Sequence, residues 1–259
     1  MSIAAPLPMI NYFAYLLDGA NWRLTGDSSI PERLGQHVAY TLVTLVISAA
    51  IALPLGLLIG HTNRGAFIAI GLGNLGRSLP TFGLVLLLVT FFGVYIWSVL
   101  LALVVLAIPP ILAQTYAGIR SVDRSAVDAA VGMGMRPVQV LFRAELPMAL
   151  PLILGGLRSA LLQVTATATV AAYASFGGLG RLLIDGLNQN QYDQIFAGAV
   201  MVALLAIVLD YASAAVERAV VSPGVRERRG PRFGRSRRSR GSAATQFPAE
   251  ETTAVSTSR

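Results

Sequence analysis

Five stretches of the chain are apolar over the length needed to cross a bilayer, and this repetition constrains the fold more than any other feature. A helix rising about 1.5 Å per residue crosses the hydrocarbon layer with about 20 apolar residues. Residues 38–60, 94–116, 148–172 and 195–216 meet that requirement without interruption, and 66–93 meets it around a break at Arg77-Ser78-Leu79-Pro80. Pro80 removes a backbone donor and crowds the preceding turn, so the second span is expected to kink or break there. With 54% hydrophobic and 13% charged residues and a mean hydropathy of +0.64, the chain is too apolar for a soluble domain of 259 residues. The expected fold class is all-α: a polytopic membrane protein of about five transmembrane helices, the second one kinked.

Residue types that are missing remove whole classes of function. All 20 basic residues are arginine, and a P-loop needs its lysine to reach the nucleotide phosphates, so this chain is not that kind of ATPase. The absence of cysteine rules out disulfides, thiolate metal sites and cysteine nucleophiles. His37 and His61 fall at span ends far apart in the expected topology, with no partner residue in view for a zinc or general-base role. No pair of carboxylates sits at catalytic spacing on one inner face, so neither chemistry on a bound substrate nor a cofactor is expected. Residues 71–76, Gly-Leu-Gly-Asn-Leu-Gly, fit a dinucleotide fingerprint literally but lack the preceding strand and following acidic residue. Close helix packing through small residues explains them better, as it does Gly56 and Gly60.

Arginine placement orients the chain. One set of connecting segments holds Arg64, Arg120, Arg124, Arg136, Arg143 and nine more from Arg218 to Arg240, and the other set holds Arg23, Arg33 and Arg181. Fourteen against three places the N-terminus outside and the C-terminus in the cytoplasm of a cell-membrane protein. Three regions follow. Residues 1–36 form an extracytoplasmic segment, in which 8–17 is too short to span and suits an interfacial helix; no cleaved signal peptide is expected. Residues 37–221 form the membrane domain. Residues 222–259 form a disordered basic cytoplasmic tail, which is better suited to anionic headgroups of membrane lipids than to nucleic acid.

The most informative stretch is the connector 117–147, on the arginine-rich side, which reads as helix, turn, helix. Asp123 suits an N-cap, Val127, Ala130 and Val131 share an apolar face, and Gly132 and Gly134 end the helix. Pro137 stands where a first helical turn tolerates proline, and Val140, Leu141 and Ala144 carry an apolar stripe to Leu146-Pro147. A short cytoplasmic hairpin tied to two spanning helices is a lever.

These residues resemble the binding-protein-dependent ABC importer permeases with a MetI-like transmembrane domain, whose cytoplasmic loop reads E-A-A, three residues, G, nine residues, I-x-L-P. Here it stands as Asp128-Ala129-Ala130, then Gly134, then Ala144-Glu145-Leu146-Pro147. The spacing is met, and Asp128 and Ala144 replace the usual Glu and Ile. The resemblance covers about 38–218 and is nearest to the osmoprotectant subgroup, importers of glycine betaine, choline, carnitine or proline. Thr167-Ala168-Thr169 and the later Gly177-Gly178-Leu179-Gly180 support it, while Ala174-Ser175-Phe176 departs from relatives that carry Ile-Gly. The resemblance implies that the loop is a coupling helix docking an ABC ATP-binding subunit through Asp128, Ala129, Ala130, Gly134, Leu146 and Pro147. It further implies a second permease subunit, identical or homologous, and an extracytoplasmic solute-binding protein.

Polar residues inside spans complete the expectations. Arg77, Ser78, Pro80 and Thr81 mark irregular backbone that is tolerated at membrane depth only when buried or lining a cavity. They are read as pathway or gate, with an interhelical structural pair as the alternative for Arg77. Gln163, Thr167 and Tyr173 offer polar groups from the fourth span, although threonines two residues apart cannot share one helical face. Arg158 and Asp210 lie at depths that differ by ~6 Å and are expected to form a structural ion pair. A methionine-like amino-acid importer remains an alternative. A secondary transporter would show internal repeats and intramembrane acidic residues, of which only Asp210 qualifies; a scaffold or enzyme would leave the loop spacing unexplained.

Overall fold

The computed structural model describes residues 12–24, 29–78, 80–170, 172 and 177–221. Among them the chain is helical throughout: α1 (Ala14–Leu17), a 3-10 turn (Gly19–Trp22), α2 (Ile30–Thr62), α3 (Ala66–Ser78), α4 (Thr81–Phe92), α5 (Ile96–Arg120), α6 (Arg124–Gly132), α7 (Pro137–Val140), a π turn (Leu141–Glu145), α8 (Leu146–Ala168), α9 (Gly180–Gln189) and α10 (Tyr192–Val220). Four continuous helices are long and apolar enough to cross a membrane: α2, α5, the run Pro137–Ala168, and α10. The fifth apolar run is divided into α3 and α4 at Pro80, as its sequence requires.

Three helices make the centre. α5 buries fourteen of its 25 residues between α2 and α8, with Ile111 and Leu112 packed on Ala52, Ala160 and Val164. Small residues allow this approach. A Cβ on Gly56 would stand 2.7 Å from Thr115 Cβ, and one on Gly60 would stand 2.7 Å from Ile119 Cβ, so α2 and α5 touch at distances that only glycine permits. Of the glycines in 71–76, Gly73 faces Ala113 Cβ at 3.1 Å, whereas Gly71 has open space around it. Close packing therefore accounts for part of that run and not for all of it.

Proline inside α5 leaves a visible mark. Pro110 cannot donate to the Leu106 carbonyl one turn earlier. Gln163 of α8 donates its side-chain amide to that carbonyl instead, at 3.4 Å. A polar residue read as pathway lining thus also satisfies a backbone group released by a proline.

Three features differ from the sequence reading. The first long helix begins at Ile30, not at 38: Pro31 occupies its first turn, and the polar residues Glu32, Arg33, Gln36 and His37 hid a helix that continues past the apolar stretch. The helix α9 was not expected, because it is short and of mixed polarity. It buries Leu182 and Gly186 and carries an Arg181 to Asp185 ion pair at 2.9 Å. Within 8–17, α-helix occurs only at Ala14–Leu17 among the described residues, with 3-10 geometry at Tyr12 and Phe13 before it; 8–11, like the tail 222–259, lies outside them.

At the end of the bundle opposite the α6–α7 hairpin, α1, α9, α10 and the start of α2 enclose a second apolar cluster of Ile30, Leu179, Leu182, Met201 and Leu205. Phe13 meets Phe196 edge-on with ring centroids 5.0 Å apart, and Trp22 Nε1 donates to the Leu16 carbonyl at 2.7 Å. These contacts fold the N-terminal segment back onto α10.

Candidate functional site

The hairpin between α5 and α8 is built from local signals. Asp123 caps α6 by accepting the Ser125 N–H at 2.9 Å. At the far end the Gly134 N–H donates to the Val131 carbonyl at 2.9 Å and the Met135 N–H to the Ala130 carbonyl at 3.2 Å. This pair of bonds is the Schellman arrangement, which needs a left-handed residue just past the helix. Gly134 supplies it with φ +82. Gln139 Oε1 then accepts the Arg136 N–H at 2.8 Å, which starts α7 at Pro137. The spacing between Asp128-Ala129-Ala130 and Gly134 is therefore the distance from the last turns of a helix to its glycine stop.

The six loop residues divide by exposure. Asp128, Ala129, Gly134 and Pro147 are exposed, Leu146 is half-buried, and Ala130 is buried inside the hairpin. Ala130 consequently packs the lever and offers no outer surface. Val131, on the face expected to turn inward, is 57% exposed, and Met133, Val138 and Phe142 of the same connector are likewise more than half exposed. No periodicity argument had marked Met133, Val138 or Phe142.

His61 has a structural partner that the sequence reading did not anticipate. Its Nδ1 lies 2.6 Å from Glu145 Oε2, across 84 residues of chain. Glu145 is almost fully buried at the end of the π turn. His37 is also bonded, with Nε2 3.0 Å from the Thr165 carbonyl, and it is wholly buried. Neither histidine belongs to a metal cluster, and no group of three metal-ligating side chains occurs among the described residues.

A cavity of about 430 Å³ opens between α3, α5 and α8. Asn74, Gln114, Tyr116, Ser159 and Gln163 supply its polar side chains, and among the described side chains no charged residue lines it. Such a lining can exchange hydrogen bonds with a small polar solute without holding it through a full charge. Among the described side chains, Gln163 is the one sequence-selected pathway residue that lines it. Ser78, Pro80 and Thr81 sit at the α3–α4 break, Thr167 is buried within helix packing, and Thr165 and Thr169 bond their own helix carbonyls at Leu161 and Ala166. The side chain of Arg77 and the whole of Tyr173 lie outside the described residues.

Arg158 and Asp210 form a bidentate pair between α8 and α10, with Nε to Oδ1 at 2.6 Å and Nη2 to Oδ2 at 2.7 Å. Planar pairing of this kind fixes the angle between two helices as well as their separation.

Comparison with known proteins gives this geometry a family. Residues 52–222 match the binding-protein-dependent transport system inner membrane component. The choline transport system permease protein OpuBB of Bacillus subtilis (strain 168) is 34% identical over 201 residues, which cover 78% of this chain and 93% of that protein. The glycine betaine/carnitine/choline transport system permease protein OpuCB of the same organism is 32% identical over an equal share. Among solved structures, the inward-facing MetNI methionine ABC transporter superposes with a TM-score of 0.64 at 22% identity, covering 74% of this chain and 95% of that one. With the greater part of its length matched, the chain belongs to the binding-protein-dependent transport system inner membrane component family.

Proposed function

We propose that the chain admits choline, glycine betaine, carnitine or a related small solute to the cytoplasm, using ATP hydrolysed by a separate subunit. Its family makes it the membrane-embedded permease component of an ABC importer. The solute class rests on the printed activities of its relatives and on the polar lining of the cavity beside Gln163, uncharged among the described side chains. The permease has no catalytic residue of its own and needs no cofactor in this reading.

One observation carries the coupling role: the hairpin tip presents Val131, Met133, Val138 and Phe142 around the left-handed Gly134, on a lever continuous with α8. The hairpin exposes these apolar side chains together with Asp128 and Arg136, which suits a groove on the ATP-binding subunit. Asp128, Ala129, Gly134 and Pro147 form the hairpin's outer surface, while Ala130 and Leu146 shape it from within. Closure of the ATPase pair would push two such hairpins, one from this chain and one from an identical or homologous permease, and switch the path between its outward-open and inward-open arrangements.

The arginine asymmetry supports an extracytoplasmic N-terminus and a cytoplasmic C-terminus in the cell membrane. The α1 and α9 end would then face an extracytoplasmic solute-binding protein, and the Arg-rich tail would meet anionic lipids. Ser78, Pro80, Thr81 and Arg77 remain proposed as a gate at the break in the second span, and Thr167 and Tyr173 as further pathway groups. The Arg158–Asp210 pair serves as a structural clamp. Because Asp210 is engaged there, it is ill placed to carry a coupling proton, which weighs against a secondary transporter.

The test is uptake by vesicles containing the chain with its ATPase and binding protein. Choline or glycine betaine uptake should require ATP and should fail with Gly134→Trp although the protein still inserts. Uptake of methionine alone would move the assignment to the amino-acid importers, and uptake without any ATPase would end the coupling reading.

A further inference from the structure

The hairpin is joined through the chain to α5, by residues 121–123, and to α8, by the π turn. It has no chain connection to α2. Yet α2 is the longest helix, 33 residues or about 50 Å at the usual rise, and its far end reaches the opposite side of the bundle. There Gln36 Oε1 accepts the Gly178 N–H at 2.9 Å and His37 meets the Thr165 carbonyl. Motion of the hairpin can reach that end through α2 only if something holds α2 to the hairpin.

We propose that the His61–Glu145 contact is that joint, making His61 and Glu145 positioning residues that pass hairpin displacement to α2. The inference rests on reading the hairpin as the ATPase dock. Its basis is geometric. In the run from Val140 to Ile153, the residues turned inward are Val140, Glu145, Ala149 and Ile153, so the interval of five between the first two is the π turn. The π turn rotates Glu145 into the bundle while Phe142 and Arg143 of the same turn stay exposed, and π turns concentrate at functional positions.

Around the pair, Leu57 of α2, Ile119 of α5, Leu141 and Leu146 pack into one apolar cluster. Apolar contacts, including glycine seams such as Gly56 on Thr115, resist separation of two helices but offer little resistance to sliding along the axis. A directional bond of 2.6 Å to a buried carboxylate resists sliding as well. Loss of His61 leaves the buried Glu145 carboxylate without this partner.

The experiment uses the intact importer in vesicles, with choline as the probe and choline taken up per ATP hydrolysed as the reading. His61→Ala and Glu145→Ala should each lower this ratio by at least about fivefold, the lower end of usual coupling between sites. The exchanged pair His61→Glu with Glu145→His should restore most of it. A purely structural role would reduce the amount of assembled importer and leave the ratio of the assembled fraction intact.

The chain contains no cysteine, so His61→Cys with Glu145→Cys provides a second route. The ratio should be low before treatment and should recover when a short bismaleimide links the two positions. Unchanged ratios in both single variants, or no recovery in either the exchanged or the linked pair, would overturn the joint. Failure of the unaltered importer to couple ATP to uptake would instead overturn the docking reading, and this inference with it.

Discussion

The two ends of α2 each carry a histidine, and they are held in opposite ways. His37 is wholly buried and bonds a backbone carbonyl, while its neighbour Gln36 accepts a backbone N–H. His61 keeps part of its ring exposed and bonds a side chain in the π turn that joins the hairpin to α8. Bonds to backbone fix a segment wherever the main chain runs, whereas a bond between two side chains joins two bodies that can otherwise shift. One end of α2 is anchored and the other is linked.

Four substitutions bear on that contrast. His37→Ala should have the largest effect on stability, about 2–4 kcal/mol, because it removes a buried ring and leaves the Thr165 carbonyl without it. Thermal unfolding in detergent measures this, and a loss below 1 kcal/mol would mean the anchored end yields. Gly60→Leu should cost about 1–3 kcal/mol by forcing α2 away from Ile119. If it is tolerated, the seam between α2 and α5 is looser than its 2.7 Å clearance implies.

Gln36→Ala should cost about 1 kcal/mol, the value of one bond to the Gly178 N–H. An equal loss of solute carried per ATP would blur the distinction between the two ends, since the anchored end is expected to affect stability alone. Thr169→Val should be the mildest, within about 0.5 kcal/mol, because the hydroxyl only returns to a carbonyl of its own helix. A drop in uptake with that variant would show that the hydroxyl serves the path after all.

Local features were legible in the sequence and distant pairings were not. The break at Pro80, the Asp123 cap and the Gly134 stop each depend on residues within a few positions, so spacing revealed them. The nearness of Arg158 and Asp210 could be argued because depth in a bilayer is a shared coordinate for separate helices. The His61–Glu145 contact spans 84 residues and involves a side chain turned inward by a π turn, which no apolar period announces. α9 escaped because ten residues of mixed polarity resemble a connector. The start of α2 was placed late because hydropathy detects the part of a helix that sits in lipid and not the helix itself. The cavity is assembled from three helices, and only Gln163 among its polar residues stood out along the chain.

The π turn has a consequence for chain length. It holds one residue more than the α-helix that would otherwise join Val140 to Leu146. Deleting a single residue there would heal the helix and rotate everything before it by about 100° about the axis. The hairpin would keep each of its own residues and bonds but aim its tip a quarter-turn or more away from its present heading. Aim in this protein is thus set by a count, and an insertion or deletion of one at Leu141–Glu145 would redirect docking more thoroughly than any substitution on the docking surface.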